Sequence, residues 1–111
     1  MSEIRQLSVE FFKVLGDQTR LEILYSLKER NMTQGEIQEI LEKTQSTISQ
    51  HLTKLRNAKL IESEMHDNIN HYKIKDSEIF ELLQSLQVFV IKLNKDNLIG
   101  LRDFDRLDTL F

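Results

Sequence analysis

Apolar residues recur at intervals of three and four over most of the chain, which is the spacing of an amphipathic helix. The first such segment covers residues 1–15, and the second covers residues 18–30. Gly16 followed by Asp17 separates them, a pair that is typical of a helix end and a new N-cap. The pattern therefore predicts two helices at the start of the chain, the second capped by Asp17.

Two shorter segments come next and are joined by a tight turn. Thr33 stands three residues before Glu36, the spacing of a capping box, and the helix it begins should end near Lys43. The segment TQSTISQHLTKLRNAKLI at 44–61 then places apolar residues on one stripe, at Ile48, Leu52 and Leu55. Together the two segments predict a helix-turn-helix whose second helix lies outermost.

From Leu60 the period changes to two, which predicts a β-hairpin with its turn at residues 67–70. Asp76 then caps a long apolar helix over residues 76–96, and a weaker pattern in residues 97–111 indicates a short terminal helix. A chain of 111 residues supplies one core. The predicted fold is a single domain of residues 1–111, mainly α with a β-hairpin, in the order α-α-α-α-β-β-α.

The outer face of the fourth helix carries small polar side chains in place of the long glutamates and lysines of an ordinary solvated helix. These are Gln45, Ser46, Thr47, Ser49, Gln50, Thr53 and Lys54. Short hydrogen-bonding groups on an outward-facing helix indicate a surface that recognises a ligand.

Composition excludes several classes of function. The chain has no cysteine, which rules out thiolate catalysis and zinc sites with sulfur ligands and fits a reducing cytoplasm. Its longest apolar run, residues 88–91, is far below the roughly 20 residues that cross a bilayer. Ser49 and His51 are two positions apart on a helix and cannot form a nucleophile–base pair. We expect a cytoplasmic protein without membrane association or enzymatic activity.

The net charge of −3 is distributed unevenly. Residues 43–75 hold 6 basic and 3 acidic groups, whereas residues 1–42 hold 5 and 8 and residues 76–111 hold 4 and 7. A swing of this size also arises by chance in a small protein. Here the positive third coincides with the polar helix face, which favours an anionic partner such as nucleic acid.

Four segments resemble the ArsR/SmtB-type winged helix-turn-helix repressors. They are FKVLGDQTRLEIL at 12–24, TQGEIQEIL at 33–41, STISQHLTKLRNAKLI at 46–61 and HYKI at 71–74. The resemblance implies a homodimer that binds double-stranded DNA with the helix at 46–58 as the recognition helix and the hairpin as the wing. It also implies a dimer interface formed by the helices at 1–15 and 76–96.

A recognition helix lies in the major groove, where each base pair presents a distinct hydrogen-bonding pattern. We expect the N-terminal turns of this helix to contact base edges and nearby phosphates, and the basic residues to contact phosphate. The candidate DNA-binding residues are Gln45, Ser46, Thr47, Ser49, Gln50, His51, Thr53, Lys54, Arg56, Asn68 and Asn70, with Lys43 and Lys59 as further phosphate contacts.

Several of these residues also have a structural interpretation. Ser46 or Thr47 is equally well explained as the helix N-cap, and His51 as a half-buried structural residue. Arg20 is expected to form an ion pair within the protein. Lys59 stands where the family often has glycine, so either the helix ends differently or a left-handed lysine costs roughly 1 kcal/mol.

The wing departs from the basic pattern of the family. Across a four-residue turn Glu64 would oppose Lys73 and Glu62 would oppose Lys75, and a tighter turn would shift these partners while keeping the faces. Either arrangement neutralises the lysines. We therefore expect a weakly contributing wing, with modest contacts from Asn68, Asn70 and either His66 or His71.

Metal sensing, which is common in the family, is not expected here, and neither is any other cofactor. The cysteine pair of the metal-binding third helix falls on Thr33 and Gly35, and residues 76–96 contain no histidine. His66, His71 and Asp67 on the hairpin are a remote alternative.

The leading hypothesis is a sequence-specific, metal-independent transcriptional regulator, a repressor acting as a homodimer on an inverted-repeat operator. The alternative, motivated by the acidic wing, is a winged-helix module that binds another protein without specific DNA binding. For the apolar surface of the helices at 1–15 and 76–96, the alternative to a dimer is coverage by residues 97–111.

Overall fold

The structure is a computed structural model that describes residues 2–96. The predicted terminal helix, and the alternative role of residues 97–111 as a cover, lie outside the described residues. The chain divides into one compact unit, Met1–Asp76, and a second that begins at Ser77. The elements are α1 (Ser2–Leu15), α2 (Gln18–Glu29), β1 (Met32–Thr33), α3 (Gln34–Leu41), α4 (Gln45–Asn57), β2 (Ile61–His66), β3 (Ile69–Ile74) and α5 (Glu78–Leu93).

The predicted order of five helices and a hairpin is confirmed, with β1 as one additional strand. The pattern missed β1 because two residues are too few to show a period. Met32 and Thr33 pair antiparallel with Tyr72 and His71 of β3, so the sheet order is β1-β3-β2.

Side-chain caps set the helix boundaries as the sequence predicts. The Asp17 carboxylate accepts a hydrogen bond from the Arg20 main-chain N–H at 3.0 Å and begins α2. Thr33 and Glu36 form the complete capping box of α3, with Thr33 N donating to Glu36 Oε1 at 3.0 Å. That bond, followed by the Arg30 contact, lowers the pKa of Glu36 to about 2. Free main-chain N–H groups at the N-termini of α2 and α3 thereby find hydrogen-bond acceptors in nearby side chains.

The core of the first unit joins one stripe from each of α2, α3 and α4. Ile23, Ile37, Ile48 and Leu55 are fully inaccessible to solvent, and Leu52 is 2% exposed. The three apolar residues predicted for α4 are thus all buried, which fixes the rotation of this helix. Its polar side must therefore face away from the core.

The hairpin turn is tighter than the four residues predicted. Asp67 and Asn68 alone form it, with φ of 52° and 65°, and Ile69 and Asn70 belong to β3. Two successive left-handed residues give the two-residue turn that matches strand twist. The register consequently pairs Glu64 with His71 and Glu62 with Lys73, in place of Lys73 and Lys75.

The second unit contains α5, which begins at Glu78 with Ser77 in the N-cap position, whereas the sequence pattern placed the cap at Asp76. Ile79 and Leu83 are buried, but Leu86, Phe89, Val90 and Leu93 are exposed. No helix within residues 2–96 is long and apolar enough to span a bilayer.

Candidate nucleic-acid interface

The outer face of α4 is polar and open to solvent. Gln45, Ser46, Ser49, Gln50 and Thr53 are exposed, while Thr47 is half-buried. Within residues 2–96 no side-chain hydrogen bond or ion pair engages Gln50. The Thr53 hydroxyl donates to the Ser49 carbonyl at 2.9 Å, which leaves only its lone pairs for a ligand.

The same helix and its flanks carry positive charge with no acidic residue among them. Lys43, Lys54, Arg56 and Lys59 are exposed, and residues 43–61 contain no aspartate or glutamate. No ion pair occupies Lys54 or Arg56 among the described residues. These cations are therefore available to an anionic partner that approaches the polar face.

The N-cap of α4 is Thr44, so the interpretation of Ser46 or Thr47 as the cap is wrong. Thr44 Oγ1 accepts from the Thr47 main-chain N–H at 3.3 Å and donates to Thr47 Oγ1 at 2.9 Å. The Thr47 hydroxyl is thus held in the cap, whereas Ser46 is exposed beside it. The sequence allowed this assignment, because Thr44 precedes the apolar period by the same distance as Thr33 precedes that of α3.

At its other end α4 stops in a left-handed turn centred on Lys59, which has a φ of 65°. Lys59 N donates to Arg56 O at 2.9 Å and Leu60 N donates to Leu55 O at 3.1 Å. This pair of bonds defines a Schellman motif, in which glycine usually holds the left-handed position. Of the two alternatives that the sequence left open at this position, the structure has the left-handed lysine.

Arg20 is buried, with 8% of its surface exposed, and joins three helices. Its Nε donates to Val14 O at 2.6 Å and its Nη2 to Lys13 O at 3.0 Å, at the C-terminus of α1. Its Nη1 lies 3.1 Å from Nδ1 of His51 on α4. The predicted ion pair of Arg20 is thus replaced by hydrogen bonds to two carbonyls and an imidazole.

His51 accordingly points inward from α4. Its side chain is 17% exposed, and its Nε2 lies 3.9 Å from Asp17 Oδ1. Burial lowers its pKa, Asp17 opposes this, and Arg20 with Lys54 and Lys43 lowers the pKa further. Partial burial acts to raise the pKa of Asp17. The hydrogen bond from the Arg20 main-chain N–H and the nearby positive charges outweigh this effect and hold the pKa below its usual value.

The wing, residues 61–74, presents a charge-paired face. Lys73 Nζ lies 2.8 Å from Glu64 Oε1 and 3.5 Å from Glu62 Oε1. Hydrogen bonding to Lys73 lowers the pKa of Glu64, and the same bond raises the pKa of Lys73. The rings of His66 and His71 meet edge to face at 5.3 Å. The predicted neutralisation of the wing lysine is confirmed for Lys73.

The two remaining wing candidates occupy different positions. Asn68 lies at the exposed tip, and Asn70 lies on β3 opposite Met65. Both are exposed.

The positions that the resemblance assigns to a metal do not fit one. The Thr33 hydroxyl accepts the capping hydrogen bond from Glu36 N at the start of α3, and Gly35 has no side chain. Within residues 2–96 no three histidine, aspartate or glutamate side chains converge as ligands.

A helix-turn-helix with an outward polar helix, a basic flank and a neighbouring hairpin defines the winged helix-turn-helix class of DNA-binding proteins. The family model for bacterial regulatory proteins of the arsR family matches residues 17–63. The chain is 41% identical over 83 residues to the arsenical resistance operon repressor of Bacillus subtilis, covering 74% of this chain and 79% of that protein. The chain therefore belongs to the ArsR family and is a DNA-binding transcriptional regulator, not an enzyme.

Further relatives and solved structures are similar to this chain over most of its length. The regulator KmtR of Mycobacterium tuberculosis is 35% identical over 77 residues, which span 69% of this chain and 59% of KmtR. The crystal structure of Rv0081 from Mycobacterium tuberculosis superposes with a TM-score of 0.77 at 30% identity, covering 85% of this chain and 95% of that one. HlyU of Vibrio cholerae superposes with a TM-score of 0.68 at 27% identity, covering 80% and 97%.

Proposed function

We propose that the protein is a sequence-specific regulator that binds an inverted-repeat operator as a homodimer and represses transcription in the cytoplasm, without a metal. The observation that carries this proposal is the outward face of α4, which is polar, exposed and free of acidic residues from 43 to 61. Such a face suits a major groove flanked by phosphates.

The roles within the face follow from chemistry and position. Gln45 and Gln50 present amides that match adenine, and Ser46 and Ser49 present hydroxyls near the helix N-terminus, where an anion is favoured. Lys54 and Arg56 are placed for phosphate, which contributes salt-dependent affinity. The remaining proposed contacts are weaker candidates, namely Thr47, Thr53, Asn68 and Asn70. We assign His51 a supporting role, because both ring nitrogens face α2.

The proposal of a homodimer rests on the exposed apolar residues of α1 and of α5. Ile4, Leu7 and Phe12 of α1 and Phe89 and Leu93 of α5 are each at least 58% exposed. An ArsR-like domain from Mycobacterium bovis, which shares the fold, is described as homodimeric. Repression is proposed from the names of relatives, which include repressors from Bacillus subtilis. Metal independence is proposed because Thr33 and Gly35 supply no pair of ligands.

Selection from a pool of randomised duplexes, followed by binding to the selected sequence, tests the proposal. We expect an inverted repeat, and we expect Gln50→Ala to weaken binding by about 1–3 kcal/mol and to relax the preference at one position of each half-site. The matched control is Gln84→Ala, because Gln84 is an exposed glutamine away from the apolar stripe of α5. If no duplex is enriched at low or moderate salt, the alternative of a protein-binding module is favoured.

A further inference from the structure

Arg20 is a buried cation that does not reach the polar outer face of α4, so the proposed DNA contacts do not explain its role. Its guanidinium donates two hydrogen bonds to carbonyls in the last turn of α1, at 2.6 Å and 3.0 Å. A third donor, Nη1, lies 3.1 Å from Nδ1 of His51. Guanidinium has no acceptor, so in this contact the imidazole must accept.

The contact therefore fixes the protonation state of His51. If Nδ1 accepts from Arg20, the ring carries its proton on Nε2, the nitrogen that faces Asp17 at 3.9 Å. Protonation of Nδ1 would remove the only lone pair available to Arg20 and set two cations 3.1 Å apart. Only the neutral ring is compatible with the observed arrangement.

The position of His51 on α4 relates this contact to the polar face. His51 directly follows Gln50, and Thr47 and Lys54 lie one turn away on either side. Arg20 is itself anchored to the end of α1 and to the start of α2. The ring is thus the point at which the recognition helix is joined to the rest of the first unit through a polar side chain as well as through its apolar stripe.

We infer that neutral His51 is a positioning residue for DNA recognition, which holds α4 in its binding orientation through its hydrogen bond with Arg20. The inference rests on the proposed function and specifies how the same surface is controlled. It makes DNA binding depend on proton concentration, because protonation breaks the bond that orients the helix.

The charged groups around the ring favour this assignment on balance. Arg20 from α2, Lys54 from α4 and Lys43 after α3 all oppose a second positive charge, whereas Asp17 at the start of α2 favours it. Partial burial opposes the charge more strongly than any of these groups, and the net result is a His51 pKa below its usual value. We therefore expect the ring to be neutral at pH 7.5 and to gain its proton at a lower pH than an unperturbed histidine does.

His51→Asn supplies the matched variant. The asparagine Oδ1 is bonded to Cγ as Nδ1 is, so it can accept from Arg20, and the side chain does not titrate between pH 5.5 and 7.5. Affinity for the selected duplex is measured at constant ionic strength for both proteins across this range. The ratio of wild-type to variant affinity is then followed, and this ratio cancels every pH effect that the two proteins share.

We expect the ratio to fall by about threefold or more between pH 7.5 and 5.5, as the wild-type protein alone loses its oriented helix. A ratio that is constant with pH would mean that His51 only fills space, and it would overturn the inference. A ratio that rises as the pH falls would mean that charged His51 contacts phosphate, and it would also overturn the inference.

A second measurement does not depend on DNA. The His51 titration, followed by NMR, should give a pKa below 6.5 in the wild-type protein, and Arg20→Lys should shift it, because a lysine cannot reproduce the three-way contact. A His51 pKa that is unchanged by Arg20→Lys would contradict the hydrogen bond. Failure of the wild-type protein to select any duplex at pH 7.5 would instead overturn the proposed function, so the two failures are distinguishable.

Discussion

At the scale of single residues, Lys59 holds a backbone conformation that side chains resist. Its φ of 65° lies in the left-handed region, where the β-carbon crowds the following carbonyl oxygen. The Schellman bonds and the burial of Leu55 and Leu60 on either side of the turn hold it there. The hydrophobic closure of the turn therefore outweighs the local preference of lysine.

Lys59→Gly is expected to stabilise the protein by about 1 kcal/mol, because glycine adopts this conformation without the steric cost. The free energy of unfolding by urea measures the change. Lys59→Ala is the control, since it removes the same charge but keeps the β-carbon, and it should leave stability within about 0.5 kcal/mol of the wild type. Equal stabilisation by both variants would show that charge, and not φ, is responsible.

At this site, the exposure of the polar residues of α4 could be predicted from the sequence, whereas the partners of Arg20 could not. The exposure of Gln50, Ser46 and Ser49 follows from the period of Ile48, Leu52 and Leu55, and it was predictable. The partners of Arg20 were not, because a guanidinium is more often paired with a carboxylate than with carbonyls at a helix end. Only the packing of α1 against the start of α2 reveals them.

At the scale of elements, the wing combines an exposed hairpin with a lysine that is already paired. Lys73 is 30% exposed and has Glu62 and Glu64 on the facing strand. Asp67 adds a further negative charge at the tip. A phosphate near this hairpin would have to displace two carboxylates from the lysine. We therefore expect α4 to provide most of the DNA affinity.

A double-mutant cycle measures how strongly Lys73 is held. Lys73→Gln in the wild-type background is expected to change DNA affinity by less than about twofold and to leave its salt dependence unchanged. In a Glu62→Gln/Glu64→Gln background, the same substitution should cost about fivefold and reduce the salt slope by about one. A large effect of Lys73→Gln alone would show that the lysine reaches phosphate despite its partners.

Element order was predictable because each helix has a strong apolar period or a capping signal. The register of the hairpin was not, since it depends on whether two or four residues form the turn, and Asp67, Asn68, Ile69 and Asn70 permit both. Strand β1 was also beyond reach, because its two residues owe their conformation to pairing with β3 rather than to local preference.

At the scale of the whole molecule, the exposed apolar residues of α1 and those of α5 exceed what scattered surface residues explain. Phe12 is 61% exposed and Phe89 is 58% exposed. Each helix shows several such residues in a stripe, a pattern that marks an interaction surface. An isologous dimer would cover the same stripes on both copies.

Mass measured by light scattering at micromolar concentration tests this association. We expect twice the 13.2 kDa of one chain for the wild type and a shift toward monomer for Phe12→Asp and for Phe89→Asp. Gln84→Asp introduces the same charge away from the stripe and should remain dimeric. A wild-type mass of one chain would reject the dimer.

The two-residue strand β1 limits how the hairpin can move. It pairs with His71 and Tyr72 alone, so the middle of β3 is held on both edges while the part from Asn70 to the tip is held on one. Any bending of the tip toward a groove must therefore pivot near Asn70. Only the few residues at the tip can therefore move toward DNA beside the half-site.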